Sequence, residues 1–322
     1  MRNGAPALLI CLFMLVPSAA PAAPQTKILT VSATSFADHR TVQSAIDAIP
    51  EGNPDHISIH LLPGTYKEKL KLPRSKPFVT LRGDDAKTTL LTNDWNASHV
   101  GAEGRPVGTS GSYSVQIDAA DFLAENITFE NTAGDTGQAL ALSATYDRQV
   151  YRNCRLIGWQ DTLYANGGRQ FYDHCYVEGR VDFIFGNATA VFDHCTIHSK
   201  NGGHVTAAST PQDHPFGYVF LDCTLTGEGA AADLGRPWRP FASVVFARCE
   251  IGPHIKPAGW DNWRNPANEK TARYAEYKCT GPGADRSKRV PWSRELSDEE
   301  AATLTIDNIL GGPDHWDPRQ VK

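Results

Sequence analysis

The phrase Val150-Tyr-Arg-Asn-Cys-Arg-Leu156 recurs along the chain as Phe171-Tyr-Asp-His-Cys-Tyr-Val177 and as Val191-Phe-Asp-His-Cys-Thr-Ile197. Related phrases are Phe122-Leu-Ala-Glu-Asn-Ile-Thr-Phe129, Val219-Phe-Leu-Asp-Cys-Thr-Leu225 and Val244-Val-Phe-Ala-Arg-Cys-Glu-Ile251. The five cysteines in these phrases are separated by 21, 20, 28 and 26 residues. A strand-like phrase that repeats at such intervals, with no helical pattern between the copies, is typical of a solenoid.

Among solenoid and repeat folds, a single-stranded parallel β-helix fits this pattern best. A β-propeller needs about 40 residues per blade, and a leucine-rich repeat shows a regular leucine ladder that this chain lacks. The cysteines lie inside strand-like phrases of a chain of 322 residues, which argues against a small disulfide-rich domain. The sequence therefore predicts an all-β fold.

Helices are predicted at both ends of the solenoid, where they would cover unpaired strands. Residues 40–49 carry apolar side chains with the spacing of one helix face, and Pro50 ends this segment. Ser297 and Glu300 have the spacing of a capping box before a predicted helix at 301–310, which Gly311-Gly312 would end.

The N-terminal residues have the pattern of a cleaved secretory signal. Arg2 precedes an apolar run at 7–16 and a small-residue stretch at 17–23. We therefore predict a leader at residues 1–23, one mature domain at 24–322, and an exported protein that is secreted or periplasmic; a buried N-terminal helix is the alternative. The mature chain would carry 30 basic and 36 acidic residues, which argues against a nucleic-acid partner. No later segment is apolar enough to insert into a membrane.

Six cysteines remain after the leader, and an oxidising compartment permits disulfides. Equivalent residues on adjacent coils lie about 4.7 to 4.9 Å apart, within the range that a disulfide tolerates. We predict a bond between Cys175 and Cys195, which the shortest coil separates. Stacked cysteines can equally be small buried hydrophobic residues.

Two aspartates occupy the same phase of neighbouring coils. Asp161 lies seven residues after Cys154, and Asp182 lies seven residues after Cys175. Two carboxyl groups one strand spacing apart in a shared groove cannot both ionise easily, so one is expected to donate a proton and the other to stay anionic. A pair of solvated aspartates is the alternative, but the apolar neighbours in Val181-Asp-Phe-Ile-Phe185 argue against it.

The segment Leu234-Gly-Arg-Pro-Trp238 offers a cation for the anionic carboxylate. Arg236 can pair with a carboxylate through two parallel hydrogen bonds. Trp238 offers a flat apolar face suited to a sugar ring. A purely structural Arg–Asp pair beside a core tryptophan is the alternative.

Together these segments resemble the pectin methylesterases, the pectinesterase family of carbohydrate esterases. The resemblance covers nearly all of the chain from about residue 30, in the family's order, and rests on Gly108-Thr-Ser-Gly-Ser112, Asn131-Thr-Ala-Gly134, Gln138-Ala-Leu-Ala-Leu142, Gly158-Trp-Gln-Asp-Thr-Leu-Tyr164, Val181-Asp-Phe-Ile-Phe-Gly186, Leu234-Gly-Arg-Pro-Trp238 and Pro257-Ala-Gly-Trp260. A single esterase region behind a leader looks more similar to the bacterial members than to the plant members, which often carry an inhibitory pro-region.

The resemblance implies a right-handed β-helix, no metal or organic cofactor, and hydrolysis of the methyl esters of galacturonate units in pectin, giving pectate and methanol. We expect a monomer whose partner is the methylated polysaccharide. By matching positions, Asp182 is the implied nucleophile and Asp161 the acid and then the base. Gln138 and Gln160 are the implied oxyanion donors, and Thr109, Gln138, Arg236 and Trp238 the implied substrate contacts.

This chain departs from the family in one position, and one implied role conflicts with simple strand geometry. Leu140 replaces the family's usual valine, a conservative change that should leave Gln138 in place. Gln160 adjoins Asp161, and strict strand alternation would send the two side chains to opposite faces. A local irregularity of the backbone is therefore required if both line the groove.

Three other functions remain open at this stage. A β-helical glycosidase or polysaccharide lyase could also use two stacked carboxyl groups, although two glutamines suit a carbonyl oxyanion better and an acidic cluster for calcium is missing from the sequence. An esterase or thioesterase for another acyl group is possible because fold does not determine substrate. A non-catalytic carbohydrate-binding solenoid is the third.

Overall fold

The computed structural model describes Met1 and residues 27–322, so the predicted leader lies outside the described residues. The strands are β1 (Lys27–Val31), β2 (Ile57–Leu61), β3 (Gly64–Lys67), β4 (Leu70–Leu72), β5 (Val79–Gly83), β6 (Thr89–Asn93), β7 (Val115–Ile117), β8 (Phe122–Glu125), β9 (Thr128–Asn131), β10 (Leu142–Ala144), β11 (Gln149–Arg152), β12 (Arg155–Ile157), β13 (Leu163–Ala165), β14 (Arg169–Asp173), β15 (Tyr176–Gly186), β16 (Thr189–Asp193), β17 (Thr196–Ala208), β18 (Tyr218–Leu221), β19 (Thr224–Glu228), β20 (Ala232–Gly235), β21 (Ser243–Ala247), β22 (Glu250–Ile251), β23 (Arg273–Tyr277) and β24 (Arg294–Glu295).

The helices are few and short. The α-helices are α1 (Val42–Asp47), α2 (Gly108–Gly111), α3 (Asp298–Ala301) and α4 (Ile306–Leu310), and single 3₁₀ turns cover Pro266–Lys270, Pro282–Ala284 and Pro318–Gln320. No helix within residues 27–322 is long and apolar enough to span a bilayer.

The strands form three parallel ladders, one for each side of a coil. The first ladder is β1-β2-β5-β8-β11-β14-β16-β18-β21-β23-β24. The second is β3-β6-β9-β12-β15-β17-β19-β22, and the third is β4-β7-β10-β13, continued by the ends of β15 and β17 and by β20. The chain is a right-handed parallel β-helix, as predicted.

Inside the coils, the aromatic residue three positions before each cysteine stacks on its equivalent in the next coil. The column is Tyr151, Tyr172, Phe192, Phe220 and Phe246, with successive ring centroids 4.9, 4.6, 4.5 and 4.4 Å apart. All five side chains are fully buried. Because parallel coils keep one spacing, each ring meets its neighbour at stacking distance.

Each cysteine follows a residue with left-handed backbone, which turns the chain from the first ladder to the second. Asn153, His174, His194, Asp222 and Arg248 all have φ between 51° and 56°. The same turn occurs at Lys278, before Cys279, with φ of 44°. Cys279 thus belongs to a further copy of the repeat, which the sequence analysis missed because the surrounding residues differ.

The predicted disulfide between Cys175 and Cys195 is wrong in this structure, where both are free thiols. The Cys175 Sγ donates to the carbonyl of Tyr151 at 3.3 Å, and the Cys195 Sγ donates to the carbonyl of Tyr172 at 3.3 Å. Both side chains therefore point toward the preceding coil, one behind the other, instead of toward each other. They fill the interior as small buried residues, which was the alternative interpretation.

At the N-terminal end, α1 covers the core as predicted. Val42, Ala45 and Ile46 are buried, and Thr41 caps the helix by accepting from the Ser44 N–H. The Glu68 carboxylate accepts from the N–H groups of Val42 and Gln43, the first two residues of the helix. These contacts tie the helix to the coil beneath it.

The predicted C-terminal cap is only partly correct. The capping box of Ser297 and Glu300 forms, but the chain makes two helices, α3 and α4, because Thr305 starts a second one by accepting from the Asn308 N–H. Ile309 and Leu310 of α4 pack on apolar side chains of the outer face of the first ladder, among them Phe171 and Val191. Val290 and Trp292, from the preceding segment, pack against the interior core instead.

We predict that Phe192→Ala lowers the free energy of unfolding by about 3 to 5 kcal/mol, because it leaves a cavity in the aromatic column. The matched control is Phe36→Ala, since the side chain of Phe36 is 97% exposed. Denaturant unfolding followed by fluorescence measures both. If the two variants have the same free energy of unfolding, the aromatic column does not stabilise the fold.

Candidate active site

A cleft of about 550 Å³ lies on the later part of the third ladder, where its wall includes residues of β13, β15 and β17. All seven residues that the sequence analysis named for chemistry or substrate binding line it: Thr109, Gln138, Gln160, Asp161, Asp182, Arg236 and Trp238. Five further residues complete the wall and were not predicted from the sequence: Ser110, Tyr164, Phe185, Ala207 and Trp263. Ser110, Tyr164 and Phe185 lie inside the motifs quoted above, so their nearness to predicted site residues was the available signal.

The two aspartates lie on adjacent coils in the same phase, as the cysteine spacing predicted. β13 pairs with β15 in the register Leu163 to Ile184, and the Asp161 N–H donates to the carbonyl of Val181 at 3.0 Å. Only 7% of Asp161 and 6% of Asp182 is exposed. Both carboxyl groups thus lie in a shared site and are largely shielded from solvent.

The backbone is left-handed at both aspartates. This is the local irregularity that Gln160 and Asp161 need in order to line the same cleft. Asp161 has φ of 65° and Asp182 has φ of 51°, a conformation that aspartate tolerates better than most residues. The turn at Asp161 separates β12 from β13, so Gln160 and Asp161 both reach the cleft. The conflict noted for Gln160 is thereby removed.

Gln138 and Gln160 are stacked on neighbouring coils. They form a parallel bridge, and the Ala139 N–H donates to the Gln160 carbonyl at 3.1 Å. Within residues 27–322, neither of these side-chain amides makes a hydrogen bond to the protein. Two amide donors therefore face the cleft without a protein acceptor.

Arg236 reaches Asp182 from two coils farther along the solenoid. Its Nε donates to Oδ1 of Asp182 at 2.9 Å and its Nη2 donates to Oδ2 at 2.7 Å. Burial raises the pKa of Asp182, and the hydrogen bonds and charge of Arg236 act in the opposite direction. This two-point contact favours the anionic form of Asp182.

Among residues 27–322, no arginine makes such a contact with Asp161. Burial, and then the negative charge of Asp182, raise its pKa to about 8, although Arg236 lowers it. Asp161 therefore holds a proton near neutral pH while its neighbour has an arginine to support a charge. The two carboxyl groups therefore differ in charge as expected from the sequence, with Asp161 as the proton donor and Asp182 as the anion.

Aromatic side chains form one wall of the cleft. Tyr164 stacks on Phe185 at 4.6 Å between centroids, and Trp238 meets Phe185 edge-on at 5.8 Å. Trp263 lies under Arg236, with 3.8 Å from the guanidinium carbon to the ring centroid. Such a wall suits the apolar faces of a sugar, and Trp263 also restricts the orientation of the arginine.

His204 lies behind Asp182, on the coil that pairs with Val181. Its Nδ1 is 3.8 Å from Oδ1 of Asp182, and its Nε2 is 3.4 Å from Oδ2 of Asp233, which accepts from Lys256. Burial, followed by the charge of Arg236, lowers the pKa of His204 to about 4. The imidazole is thus neutral near pH 7 and leaves Arg236 as the cation next to the carboxylate.

Residues 28–313 match the family model described as Pectinesterase. The chain is 46% identical to Pectinesterase 31 of Arabidopsis thaliana over 284 residues, covering 86% of this chain and 90% of that protein. A pectin methylesterase from carrot has a TM-score of 0.83 and 31% identity, with 92% of this chain and 96% of that chain covered.

A pectin methylesterase crystallised in complex with a hexasaccharide has a TM-score of 0.80 and 29% identity, covering 91% of this chain and 99% of that one. The relatives from Arabidopsis and carrot are plant proteins, so the comparisons do not support the expected bacterial type. The matched length and the identities show that the chain belongs to the pectinesterase family of carboxylic ester hydrolases.

Proposed function

We propose that this chain hydrolyses the methyl esters of galacturonate units in pectin, releasing methanol and leaving carboxylates on the polysaccharide. The observation that carries the proposal is the unequal pair of aspartates, in which Arg236 binds Asp182 at two points while Asp161 has a pKa of about 8. Hydrolysis of an ester through a covalent intermediate needs a nucleophile and a proton donor for the leaving alkoxide. The two aspartates supply both.

In the first step, a carboxylate oxygen of Asp182 attacks the ester carbonyl carbon. The bond to the methoxy oxygen breaks, and Asp161 gives its proton to that oxygen, so methanol leaves. The product is an anhydride between Asp182 and the galacturonate. Arg236 favours the attacking carboxylate as an anion and keeps it oriented.

In the second step, Asp161, now a carboxylate, takes a proton from water. The hydroxide oxygen bonds to the galacturonate carbon of the anhydride, and the bond to Asp182 breaks. Asp182 returns as a carboxylate and Asp161 as an acid, and the new galacturonic acid group loses its proton to solvent, so both aspartates are ready for another cycle.

The side-chain amides of Gln138 and Gln160 would donate to the carbonyl oxygen as negative charge develops on it in both steps. Their lack of protein acceptors supports this role, because a donor already in use would have to break a hydrogen bond first. Trp238 and the other aromatic residues would hold the sugar ring, with Thr109, which also lines the cleft, as a further contact.

Export follows from the same proposal, because the polysaccharide belongs to the plant cell wall. A leader at residues 1–23 would direct the chain out of the cell, and residues 24–322 would act as a monomeric catalytic domain. N-terminal sequencing of the exported protein locates the cleavage site.

Asp182→Asn is expected to lower kcat for methanol release at least about a thousandfold, because an amide cannot form the anhydride. Asp222→Asn is the matched control. Asp222 also has left-handed backbone and accepts two hydrogen bonds from an arginine, at 2.8 and 2.6 Å from Arg248, but it lies outside the cleft. Methanol is measured with highly methylated pectin, and turnover of Asp182→Asn at the control's rate would remove Asp182 as nucleophile.

Gln138→Ala and Gln160→Ala are each expected to lower kcat about a hundredfold to a thousandfold with little change in KM, since an oxyanion donor acts mainly on the transition state. Gln212→Ala, at an exposed position outside the cleft, is the control. A variant that raises KM and retains kcat would be assigned to substrate binding instead.

The pH profile of kcat/KM is expected to be bell-shaped. Asp161 must be protonated, so activity falls as pH rises through its pKa of about 8. Asp182 must be ionised, and its pKa is raised by burial, so activity also falls toward acidic pH. Methanol release is recorded against enzyme-free blanks, and activity that keeps rising above pH 9 would contradict Asp161 as the acid.

New reducing ends and unsaturated products are measured in the same reactions. A glycosidase would produce new reducing ends alone, a lyase would produce both new reducing ends and unsaturated products, and the proposed esterase produces neither. Activity on acyl-thioesters with none on methylated pectin would contradict the proposed substrate.

A further inference from the structure

A row of polar side chains lies behind Asp182, one on each successive coil. His204 of β17 pairs in register with Val181 of β15, and Asp233 of β20 pairs with His204. On the following coil, the Nζ of Lys256 donates to Oδ2 of Asp233 at 2.8 Å. The side chain of Asp233 is only 6% exposed, whereas that of Lys256 is 45% exposed. The row therefore extends from the candidate nucleophile to the surface of the protein.

The two ring nitrogens of His204 have different neighbours. Nε2 lies 3.4 Å from Oδ2 of Asp233, the oxygen that also accepts from Lys256. Nδ1 lies 3.8 Å from Oδ1 of Asp182 and, within residues 27–322, is buried without a hydrogen-bond partner. The nearer carboxylate of a neutral imidazole favours the hydrogen on the nitrogen that faces it, and here that carboxylate is Asp233. Nδ1 therefore presents a lone pair to Asp182.

The charge of His204 depends on the groups around it. Burial lowers the pKa of His204 to about 4, and the charges of Arg236 and Lys256 act in the same direction, against that of Asp261. Burial raises the pKa of Asp233, and the hydrogen bond and charge of Lys256 lower it. Without Lys256, Asp233 would be a buried carboxylate that has lost its cation, which is costly unless a proton is taken up from solvent. Asp233 and His204 are the two groups that can hold this proton.

Either position of that proton has the same effect on Asp182. On His204, it gives an imidazolium with hydrogen on both ring nitrogens. On Asp233, it gives an acid that donates to Nε2, so the hydrogen of the neutral ring moves to Nδ1. In both cases an N–H faces Oδ1 of Asp182, which already accepts from Arg236. A further donor stabilises the negative charge of the carboxylate and makes it a weaker nucleophile.

We propose that Lys256 is a positioning residue for the candidate nucleophile: by binding Asp233, it keeps His204 uncharged with Nδ1 free of hydrogen, and so keeps a further donor away from Asp182. Lys256 does not line the cleft, so it acts through Asp233 and His204. This inference rests on the proposed function and deepens it, because it links a residue outside the cleft to the reactivity of the nucleophile.

Nuclear magnetic resonance of the imidazole groups tests this inference without an assay of activity. His204→Phe identifies the signals of His204, and proton–nitrogen correlation spectra show which ring nitrogen carries hydrogen. At pH 7 the wild type is expected to carry it on Nε2. In Lys256→Met, either the titration midpoint of His204 rises by about one pH unit or more, or the neutral ring carries its hydrogen on Nδ1.

Lys200→Met is the matched control for these spectra. Lys200 also lies on β17, and its side chain pairs at 2.9 Å with Glu178, a carboxylate that is 15% exposed. Its loss is expected to leave the His204 signals as in the wild type, because Glu178 lies outside the row behind Asp182. Lys256→Arg keeps a cation beside Asp233, so it is also expected to preserve these signals.

The rate of methanol release connects the inference with the reaction. Below pH 7, Lys256→Met is expected to lower kcat about fivefold, the effect of one hydrogen bond, and to change KM by less than about twofold. Adding His204→Phe to Lys256→Met is expected to restore most of kcat, because a phenyl ring has no N–H to donate. A lysine that only stabilised the fold would not be compensated in this way.

Unchanged His204 signals in Lys256→Met would overturn the inference, whatever the activity of the variant. A double variant as slow as Lys256→Met would overturn it as well, since the loss would then not pass through His204. A wild-type chain that releases no methanol would overturn the proposed function instead, because the spectra report the hydrogen on His204 independently of catalysis.

Discussion

Backbone hydrogen bonding between parallel coils is the constraint on which the rest of this structure depends. It keeps each residue about 4.8 Å from its equivalent in the next coil. Side chains at one phase then form columns through the molecule, as the aromatic residues from Tyr151 to Phe246 do in the core. The same spacing brings Asp161 and Asp182 together, so core packing and candidate chemistry have one geometric origin.

In the candidate site, the two aspartates that this regular spacing brings together differ in charge. Two carboxyl groups at one phase are nearly equivalent by position, and Arg236 makes them different by binding Asp182 alone. His204, on the other side of Asp182, is neutral near pH 7, so it adds no second positive charge beside the pair. One acid and one anion can therefore coexist in a buried cleft near neutral pH.

The columns also determine how a long substrate could lie. A polysaccharide placed along the axis meets a new coil at every strand spacing, so each coil can contribute one contact to the groove.

The sequence alone predicted the parallel β-helix and the shared phase of the two aspartates, because a solenoid turns spacing along the chain directly into position. Seven of the twelve residues that line the cleft were also named from the sequence, three of them (Thr109, Gln138 and Gln160) only through the family resemblance. It could not show whether Cys175 and Cys195 face each other, since side-chain direction depends on the turn that precedes each cysteine. Strand alternation also could not predict the left-handed backbone at Asp161, which lets the side chains of Gln160 and Asp161 line the same cleft.

Only the tertiary structure decided contacts between segments far apart in sequence. It placed α4 on the outer face of the first ladder instead of over the end, because that face carries its own apolar residues. It also brought Trp263 under Arg236 and Lys69 beside Tyr113. Local periodicity determines what lies inside the coil, whereas packing between loops outside the repeat depends on distances that no repeat encodes.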